Sequence, residues 1–367
     1  MTVYIILLIL VFIYGLILLI KPNNKNMKKV FLLLSFFSFT LILGLRGGSV
    51  GEDTLHYINI FNNANNVSLK DIFISPGFRA GYFTDYYGYT DTIEGGFLIW
   101  CKFIRLFSDN PQVYLFLTAS ITCFFFAKFI YDNCKDEDVF LPTMVYLCES
   151  TFMVSFNLVR EMMACAIAMQ AYKYLKQKKI GMPLLIILIA ASIHNTALIA
   201  LLFIPIMVLT PKNKIRDFNI AIVLAILLPI ISLSSQNLII KLFPRYTSYF
   251  TINYWQNTMG KSMIFIVIEI LAIFIMYNQK FIVPYSARLS VMVMIYIAFE
   301  IAGLKVVMLS RIGLYFREYL ILFFNKLLFY YDDRNKLVVK LGLLILLIAF
   351  YLSYASAESR NYVFFWN

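Results

Sequence analysis

The sequence is a series of apolar runs of roughly 17–25 residues, separated by short polar segments. A run of that length is what an α-helix needs to cross the hydrocarbon core of a bilayer. Hydrophobic residues make up 61% of the 367 positions and charged residues only 14%, whereas a soluble domain is about 45–50% apolar and about 25% charged. We therefore predict an all-α polytopic integral membrane protein with about 10–12 transmembrane helices.

The expected spans form a single transmembrane domain over residues 1–367. They lie at about 3–20, 30–45, 112–131, 139–156, 157–176, 218–235, 261–278, 285–304, 311–331 and 337–354. Residues 95–107 are too short to cross, because about thirteen helical residues cover only about 20 Å, and they predict an interfacial or half-inserted helix. Residues 182–209 are interrupted by polar residues, and predict either a re-entrant hairpin with His194 near its apex or one long tilted helix.

Basic residues indicate which loops are cytoplasmic, because short cytoplasmic loops carry an excess of lysine and arginine. The segment KPNNKNMKK, which follows the first run, is predicted to be cytoplasmic. The first run itself predicts a membrane helix and not a removed signal peptide, since no cleavage site follows it. Residues 46–94, the longest polar segment, and residues 236–260 are then predicted to be extracytoplasmic loops. The net charge of +12 comes from the basic loops, so no nucleic-acid partner is predicted.

The sequence predicts neither a metal site nor a cofactor. Its five cysteines are scattered without ligand spacing, and four of them lie in apolar runs. The triplet Asp136-Glu137-Asp138 is similar to the metal-binding triplet of enzymes that use sugar nucleotides, but the predicted topology places it on the cytoplasmic side. No phosphate-binding loop, dinucleotide-binding glycine motif or zinc-protease motif is present in the sequence.

Four arginines break the positive-inside pattern, because the predicted topology places them at or near the outer face: Arg46, Arg160, Arg245 and Arg311. A guanidinium group binds phosphate oxygens in a two-pronged geometry, so these arginines are candidate ligands for an anionic substrate group. Alternatives remain for three of these side chains. Arg160 also fits a contact with lipid headgroups or a buried acid, Arg245 an interfacial anchor loop, and Arg311 a structural pair with Glu318.

Polar and aromatic side chains near these arginines are candidate substrate ligands. Asn157 lies three residues before Arg160 and therefore on the same helical face. Tyr315 shares a helical stripe with the arginine four residues before it. Tyr246 lies in an aromatic loop suited to stacking on a sugar, and Tyr57 ends the polar stretch that follows the second run.

Three residues are candidate catalytic bases: His194, Asp53 and Glu94. Histidine titrates near neutral pH, which suits a general base, although a lone histidine on an apolar face is as often a satisfied core residue. Asp53 and Glu94 bracket the polar loop, where solvated acids are also common. Glu269 falls in the middle of a predicted span, and an acid in that position is a functional hypothesis by default. The acids near span ends, Glu161 among them, are also suited to pairing with neighbouring arginines.

Taken together, these motifs resemble those of the EpsG family of Wzy-type polysaccharide polymerases over about residues 1–330. Each motif is short, but their order along the chain matches that of the family. The matching residues are Arg46, Gly51, Asp53, Thr54 and Tyr57; Glu94, Gly96 and Phe97; Phe156, Asn157, Arg160 and Ala164; His194, Ala197 and Leu198; and Arg311, Tyr315 and Phe316. One departure is Glu161, where the family more often has glutamine.

The resemblance implies a polymerase that joins lipid-linked repeat units at the outer face of the cytoplasmic membrane of a bacterium. One undecaprenyl-pyrophosphate-linked glycan would be the donor and a second the acceptor, with a chain-length regulator and membrane lipid as further partners. Arg160 and Arg311 would bind the pyrophosphate, assisted by Arg46 or Arg245, so that no metal is needed. His194 or Asp53 would take the proton of the acceptor hydroxyl, and the anomeric centre would be inverted.

The sequence is also compatible with other classes of function. A flippase or transporter of lipid-linked glycans would also need arginines for pyrophosphate, but it predicts polar residues along a path to both faces. A membrane acyltransferase would use His194 on a sugar hydroxyl. A glycan ligase with a lipid or protein acceptor is the nearest enzymatic alternative.

Overall fold

The computed structural model describes residues 1–84, 88, 90–208, 214–234, 241, 259–356 and 361–367. Most of the described chain is helical, and the all-α fold is confirmed. The helices are α1 Thr2–Ile20, α2 Lys25–Gly44, α3 Thr54–Asn63, α4 Leu69–Ile74, α5 Gly95–Arg105, α6 Pro111–Cys134, α7 Phe140–Cys148, α8 Thr151–Val154, α9 Val159–Ala168, α10 Ala171–Leu175, α11 Gly181–Ile193, α12 Phe203–Val208, α13 Lys214–Ser234, α14 Met259–Asn278, α15 Ser286–Gly303, α16 Val307–Arg317, α17 Leu320–Leu327 and α18 Asp333–Ala355. The strands are β1 Arg79–Thr84 and β2 Thr90–Glu94.

Within the described residues, five helices are long and apolar enough to cross a membrane: α1, α2, α6, α15 and α18. Shorter apolar helices lie at 181–193, 195–208, 263–278 and 320–330. Only 22% of the most apolar window of α1 and of α18 is buried within the protein. Apolar helices that expose most of their surface need a lipid environment, which confirms a multi-pass membrane protein.

Three of the predicted spans are not continuous helices. The region 139–156 is broken after α7, where Ser150 adopts a left-handed conformation (φ 56°). The region 157–176 is divided between α9 and α10, and α9, with 10 residues, covers only about 15 Å. The region 311–331 is divided at Glu318, between α16 and α17. The prediction of continuous helices was wrong for these three regions. An apolar run indicates that a segment lies in an apolar environment, but it does not determine which hydrogen bonds its backbone makes.

The segment around His194 is also broken. Helix α11 ends at Ile193, and His194 has an extended backbone (φ −152°, ψ 120°). A 3-10 helix, Asn195–Leu202, follows. One long continuous helix over residues 182–209 is therefore wrong, while the re-entrant path stays a prediction.

The polar segment 46–94 contains folded structure that the sequence did not predict. Helices α3 and α4 precede an antiparallel hairpin of β1 and β2, in which Arg79 is paired with Glu94. The pairing is irregular between Ala80 and Phe83, where Gly81 has a positive φ of 67°. Helix α5 begins directly after β2, which confirms the short helix predicted at 95–107.

The chain divides into two compact units. The first contains residues 1–174, 180–198 and 344–367, and the second contains residues 175–179 and 199–343. In the first unit, α2 packs against α6, and its core includes the clustered rings of Phe36, Phe39, Phe126, Tyr146 and Phe152. In the second unit, α15 packs against α13 and α16.

Candidate active site

A single buried carboxylate organises the polar cluster of the first unit. Glu94 is 1% exposed, and one of its oxygens accepts hydrogen bonds from Arg79 Nη1 at 2.5 Å and from the Asn195 backbone N–H at 3.3 Å. His194 Nδ1 lies 3.3 Å from that same oxygen. The other oxygen forms an ion pair with Arg160 Nη1. Glu94 therefore holds two arginines and one histidine around one point.

The strand register places Arg79 in this cluster. In the hairpin Arg79 is the partner of Glu94, and its guanidinium also contacts Asp91 Oδ2 at 2.9 Å and Thr92 Oγ1 at 3.1 Å. Asp91 is about half exposed, so water screens its charge, whereas Arg79 is mostly buried. Arg79 is not among the site residues predicted from the sequence. The alternation of the strand that ends at Glu94 could have pointed to a hairpin partner.

Arg160 lies in the first turn of α9, beside two aromatic rings that also contact each other. Its guanidinium carbon is 5.7 Å from the centroid of Tyr57 and 5.8 Å from that of Phe97, within range of cation–π attraction. Asn157, which precedes the helix, accepts a hydrogen bond at 3.1 Å from the backbone N–H of Glu52. These contacts, together with Glu94, fix the direction of the Arg160 fork.

His194 is placed in the cluster by the break that ends α11. Its Nε2 atom is 4.0 Å from Glu161 Oε2, so each imidazole nitrogen faces a carboxylate. Glu161 is buried, and its Oε1 accepts a hydrogen bond from the Thr196 hydroxyl at 3.3 Å. Two facing carboxylates stabilise an imidazolium, the form that exists after histidine has accepted a proton.

The charges around Glu94 determine its protonation state. Burial alone would raise the pKa of Glu94, but the positive charge of Arg160, the hydrogen bond and charge of His194, and the charge of Arg79 outweigh it. The pKa of Glu94 therefore lies well below its usual value. A carboxylate with so low a pKa is a weak base, and this geometry favours a role in holding the cations.

Arg46 lies inside the first unit, with its guanidinium directed at protein acceptors. It is 2% exposed and donates to the Leu43 carbonyl at 2.7 Å, to Thr54 Oγ1 at 3.2 Å and to the Phe156 carbonyl at 3.3 Å. Burial lowers its pKa to about 10, so it is still charged at neutral pH. These contacts tie the end of α2 to the start of α3. Pyrophosphate binding by Arg46 stays a prediction.

Gly51 allows the chain to turn tightly beside Arg46. Its φ is +89°, and a Cβ atom there would lie 2.5 Å from the Phe156 carbonyl oxygen. Only glycine combines this conformation with so close an approach. The glycine of the motif that begins at Arg46 is therefore explained by backbone packing.

Residues 361–367, which we name the clasp segment, cover the backbone on either side of Arg46. The Gly47 N–H donates to the Val363 carbonyl at 2.8 Å, and the Phe365 N–H donates to the Leu45 carbonyl at 3.1 Å. The Tyr362 hydroxyl donates to the Ile42 carbonyl at 2.9 Å. The clasp segment thus completes the hydrogen bonding of the turn that leaves α2.

The clasp segment permits a matched test of this turn. We expect Phe365→Pro to destabilise the protein by about 1–3 kcal/mol, because it removes the N–H that satisfies the Leu45 carbonyl. Phe365→Ala keeps the N–H and removes a side chain that is half exposed, so it should have little effect. Unfolding in mixed detergent micelles measures both variants. Equal stability of the proline and alanine variants would contradict the role of this hydrogen bond.

The other residues predicted for the site lie outside the cluster around Glu94 or outside the described residues. Asp53 lies at the start of α3, in the same unit as Glu94. Arg311 and Tyr315 lie in α16 of the second unit, where Tyr315 is buried. Arg245 and Tyr246 lie outside the described residues, as does most of the predicted loop 236–260. Of the predicted residues, the structure therefore brings together Glu94, Arg160, His194 and Tyr57. Among the described residues, no group of three or more His, Cys, Asp or Glu side chains is arranged to hold a metal ion.

Fold and site together define a multi-pass membrane protein in which an arginine and a histidine from its helical regions and turns meet at the buried glutamate carboxylate that ends its polar segment. Comparison with known families gives the class a name. The chain belongs to the EpsG family, whose sequence model matches residues 29–366, and this confirms the resemblance seen in the motifs. At the level of the family, it is a Wzy-like polysaccharide polymerase. No curated protein and no solved structure matches the chain.

Proposed function

We propose that this protein joins undecaprenyl-pyrophosphate-linked oligosaccharide repeat units by inverting glycosyl transfer, without a metal, at the outer face of the cytoplasmic membrane of a bacterium. The observation that carries the proposal is the pairing of Arg79 and Arg160 on the single buried carboxylate of Glu94. Such pre-positioned cations suit a reaction in which negative charge develops on a departing group. Family membership supports the polymerase class.

The arginines would stabilise the departing pyrophosphate. Arg160 presents a planar fork whose direction is already fixed, which reduces the cost of ordering it when an anion binds. Arg79 lies on the same carboxylate and would act with it. We propose Arg311 and Arg245 as further ligands, in keeping with the motifs, whereas Arg46 would mainly position the turn that carries Asp53 and Tyr57.

The proton of the acceptor hydroxyl would pass to His194. The acceptor oxygen forms a bond to the anomeric carbon, the bond from that carbon to the pyrophosphate oxygen breaks, and the electron pair leaves with the pyrophosphate. Glu161 and Glu94, which face the two imidazole nitrogens, would stabilise the imidazolium formed. Asp53 is the second candidate base, whereas the low pKa of Glu94 argues against that role.

The remaining candidate residues would contact the glycan or support the arginines. Tyr57 is 5% exposed and lies beside Arg160, so it would support the guanidinium more than stack on a sugar. Asn157 holds the loop before α9. Tyr315 and Tyr246 are proposed sugar contacts. The polyprenyl tails would lie in the surrounding lipid, and a chain-length regulator would act beside the polymerase.

Replacement of His194 tests the base. We expect His194→Gln to reduce the polymerisation rate by about 10²–10⁴-fold, the usual contribution of a general base. His56→Gln, which changes the other histidine of the chain, is the matched control and should keep the rate near wild type. Polymerisation is measured as the rate of glycan ladder formation. A normal rate in His194→Gln would contradict the assignment and leave Asp53 as the base.

The function itself is tested by extracting lipid-linked glycans from cells with and without the gene. A polymerase predicts that deletion leaves single repeat units on the carrier and removes the long ladder. Single units that accumulate only on the cytoplasmic side would identify a flippase. A normal ladder that lacks a decoration would identify an acyltransferase.

A further inference from the structure

The helix that follows Glu94 has two different faces. The inward face of α5 is fully buried at Phe97, Leu98, Cys101 and Ile104, at the spacing of one helical stripe. On other sides, large apolar groups remain uncovered: Phe103 is 50% exposed, and beyond the last turn Leu106 is 78% and Phe107 76% exposed. We name Phe103, Leu106 and Phe107 the α5 ridge.

Contacts with α6 show where the α5 ridge lies. The Trp100 indole N–H donates to the Thr118 hydroxyl at 3.0 Å, and the ring of Phe97 meets that of Tyr114 edge-on at a centroid distance of 6.3 Å. Helix α5 therefore packs against the first turns of α6, which is long and apolar enough to cross the membrane. Phe107 is followed closely by Pro111, where α6 begins.

The end of α2 lies beside the start of α6. Gln112, in the first turn of α6, donates to the Gly44 carbonyl, and its contact with the Arg46 carbonyl measures 3.4 Å. The start of one membrane-crossing helix therefore adjoins the end of another. A membrane-crossing helix ends near the edge of the hydrocarbon core, and the α5 ridge directly precedes one of these two ends.

We infer that α5 is embedded in the interface of the bilayer, with the α5 ridge inserted among lipids. The composition fits that environment, since phenylalanine and leucine are typical of the apolar face of helices that lie in the interface. The rings of Phe103 and Phe107 pack edge to face at a centroid distance of 5.3 Å. Lys102 lies beside the ridge, and a lysine in such a position reaches towards headgroup phosphates. A second protein is the less favoured occupant, because the ridge directly precedes α6, a helix long and apolar enough to cross the membrane.

The depth of α5 in the bilayer also determines the depth of the candidate active site. Gly95, the first residue of α5, directly follows Glu94, so the depth of α5 sets the depth of the carboxylate and of Arg160. A lipid-linked pyrophosphate lies at headgroup depth, where an embedded α5 would hold the cluster. This second step depends on the proposed function, whereas the location of the α5 ridge does not.

Site-directed spin labelling tests the location in vesicles of phosphatidylethanolamine and phosphatidylglycerol. Nitroxides are attached at Phe103→Cys and Phe107→Cys, and the five native cysteines are buried, which favours labelling of the new thiol. Thr84→Cys, on the exposed end of β1, is the polar control, and Phe124→Cys, 60% exposed on α6, is the lipid control. Collisions with oxygen report lipid, and collisions with a water-soluble nickel complex report water.

The α5 ridge is expected to give oxygen-to-nickel ratios close to those at position 124 and several-fold above those at position 84. Ratios equal to those at position 84 would overturn the inference. Shielding from both reagents would also overturn it, since a protein would then cover the ridge.

The step that depends on the proposed function is tested separately. We expect Leu106→Asp to raise the KM for the lipid-linked donor at least several-fold, with Leu106→Met close to wild type. A lipid-like ridge with an unchanged KM would reject the coupling to the site while leaving the location intact. A protein that lacks polymerase activity altogether would reject the proposed function and not the location.

Discussion

Arg160→Ala is expected to abolish the long glycan ladder and to reduce the polymerisation rate by about 10²–10³-fold, the usual cost of removing one group that stabilises developing negative charge. The reason is geometric. The guanidinium lies beside Tyr57 and Phe97 with its direction fixed by Glu94, so its loss removes one of the two arginines paired with this carboxylate. Arg160→Lys keeps the charge but loses the planar fork, and should recover only part of the rate.

Two controls separate chemistry from folding. Arg105→Ala removes another arginine of the same unit, one that donates to the Phe61 and Asn62 carbonyls outside the cluster. It should retain the ladder. The second control is the stability of Arg160→Ala itself, measured by unfolding in mixed micelles, because Arg79 still pairs with Glu94 in that variant. A folded Arg160→Ala protein that still polymerises at the wild-type rate would contradict the role of Arg160.

Glu94→Ala is expected to destabilise the first unit by about 3–5 kcal/mol, the cost of removing one partner from a buried ion pair. Arg79 and Arg160 would then lie close together without the carboxylate that holds them. Glu94→Gln keeps the shape but not the charge, and should also be destabilised and inactive. Unfolding in mixed micelles measures the stability, with the exposed Glu52→Gln as the matched control.

The loss of stability in Glu94→Gln should depend on pH in a defined direction. Because the folded state depresses the pKa of Glu94, its stabilising contribution is fully present above the unfolded-state pKa of about 4.3 and declines as pH falls below it. The difference in stability between wild type and Glu94→Gln should therefore be constant from about pH 6 to 8 and shrink below about pH 4. A difference that grows on acidification would show that Glu94 is not held as a carboxylate.

The membrane fold could be predicted because the bilayer leaves few choices. An apolar run in lipid must satisfy its own backbone, and a helix does so. The same expectation of continuous helices is why the breaks within the runs were not predicted. At Ser150 and His194 the backbone leaves the helix inside apolar sequence, and the conformation there depends on tertiary contacts that no run of residues encodes.

The site residues could be predicted where a charged or titratable side chain lies in or beside an apolar run, because burying such a group is costly unless it has a partner. Arg160, His194 and Glu94 stand at the edges of or within apolar runs, and the structure brings them together. Arg79 was missed because it joins the cluster only through the register of a hairpin in a polar segment. An unexpected arginine does not always point to a substrate site. Arg46 also breaks the charge pattern, but its guanidinium is directed at protein carbonyls.

The most direct test of the central claim uses purified protein in vesicles that contain lipid-linked single repeat units and a metal chelator. The account predicts that wild-type protein forms a ladder and releases one polyprenyl pyrophosphate for each unit joined. The folded Arg160→Ala variant should form no long ladder. A full ladder from that variant, or movement of single units across the vesicle membrane without any joining, would contradict the account.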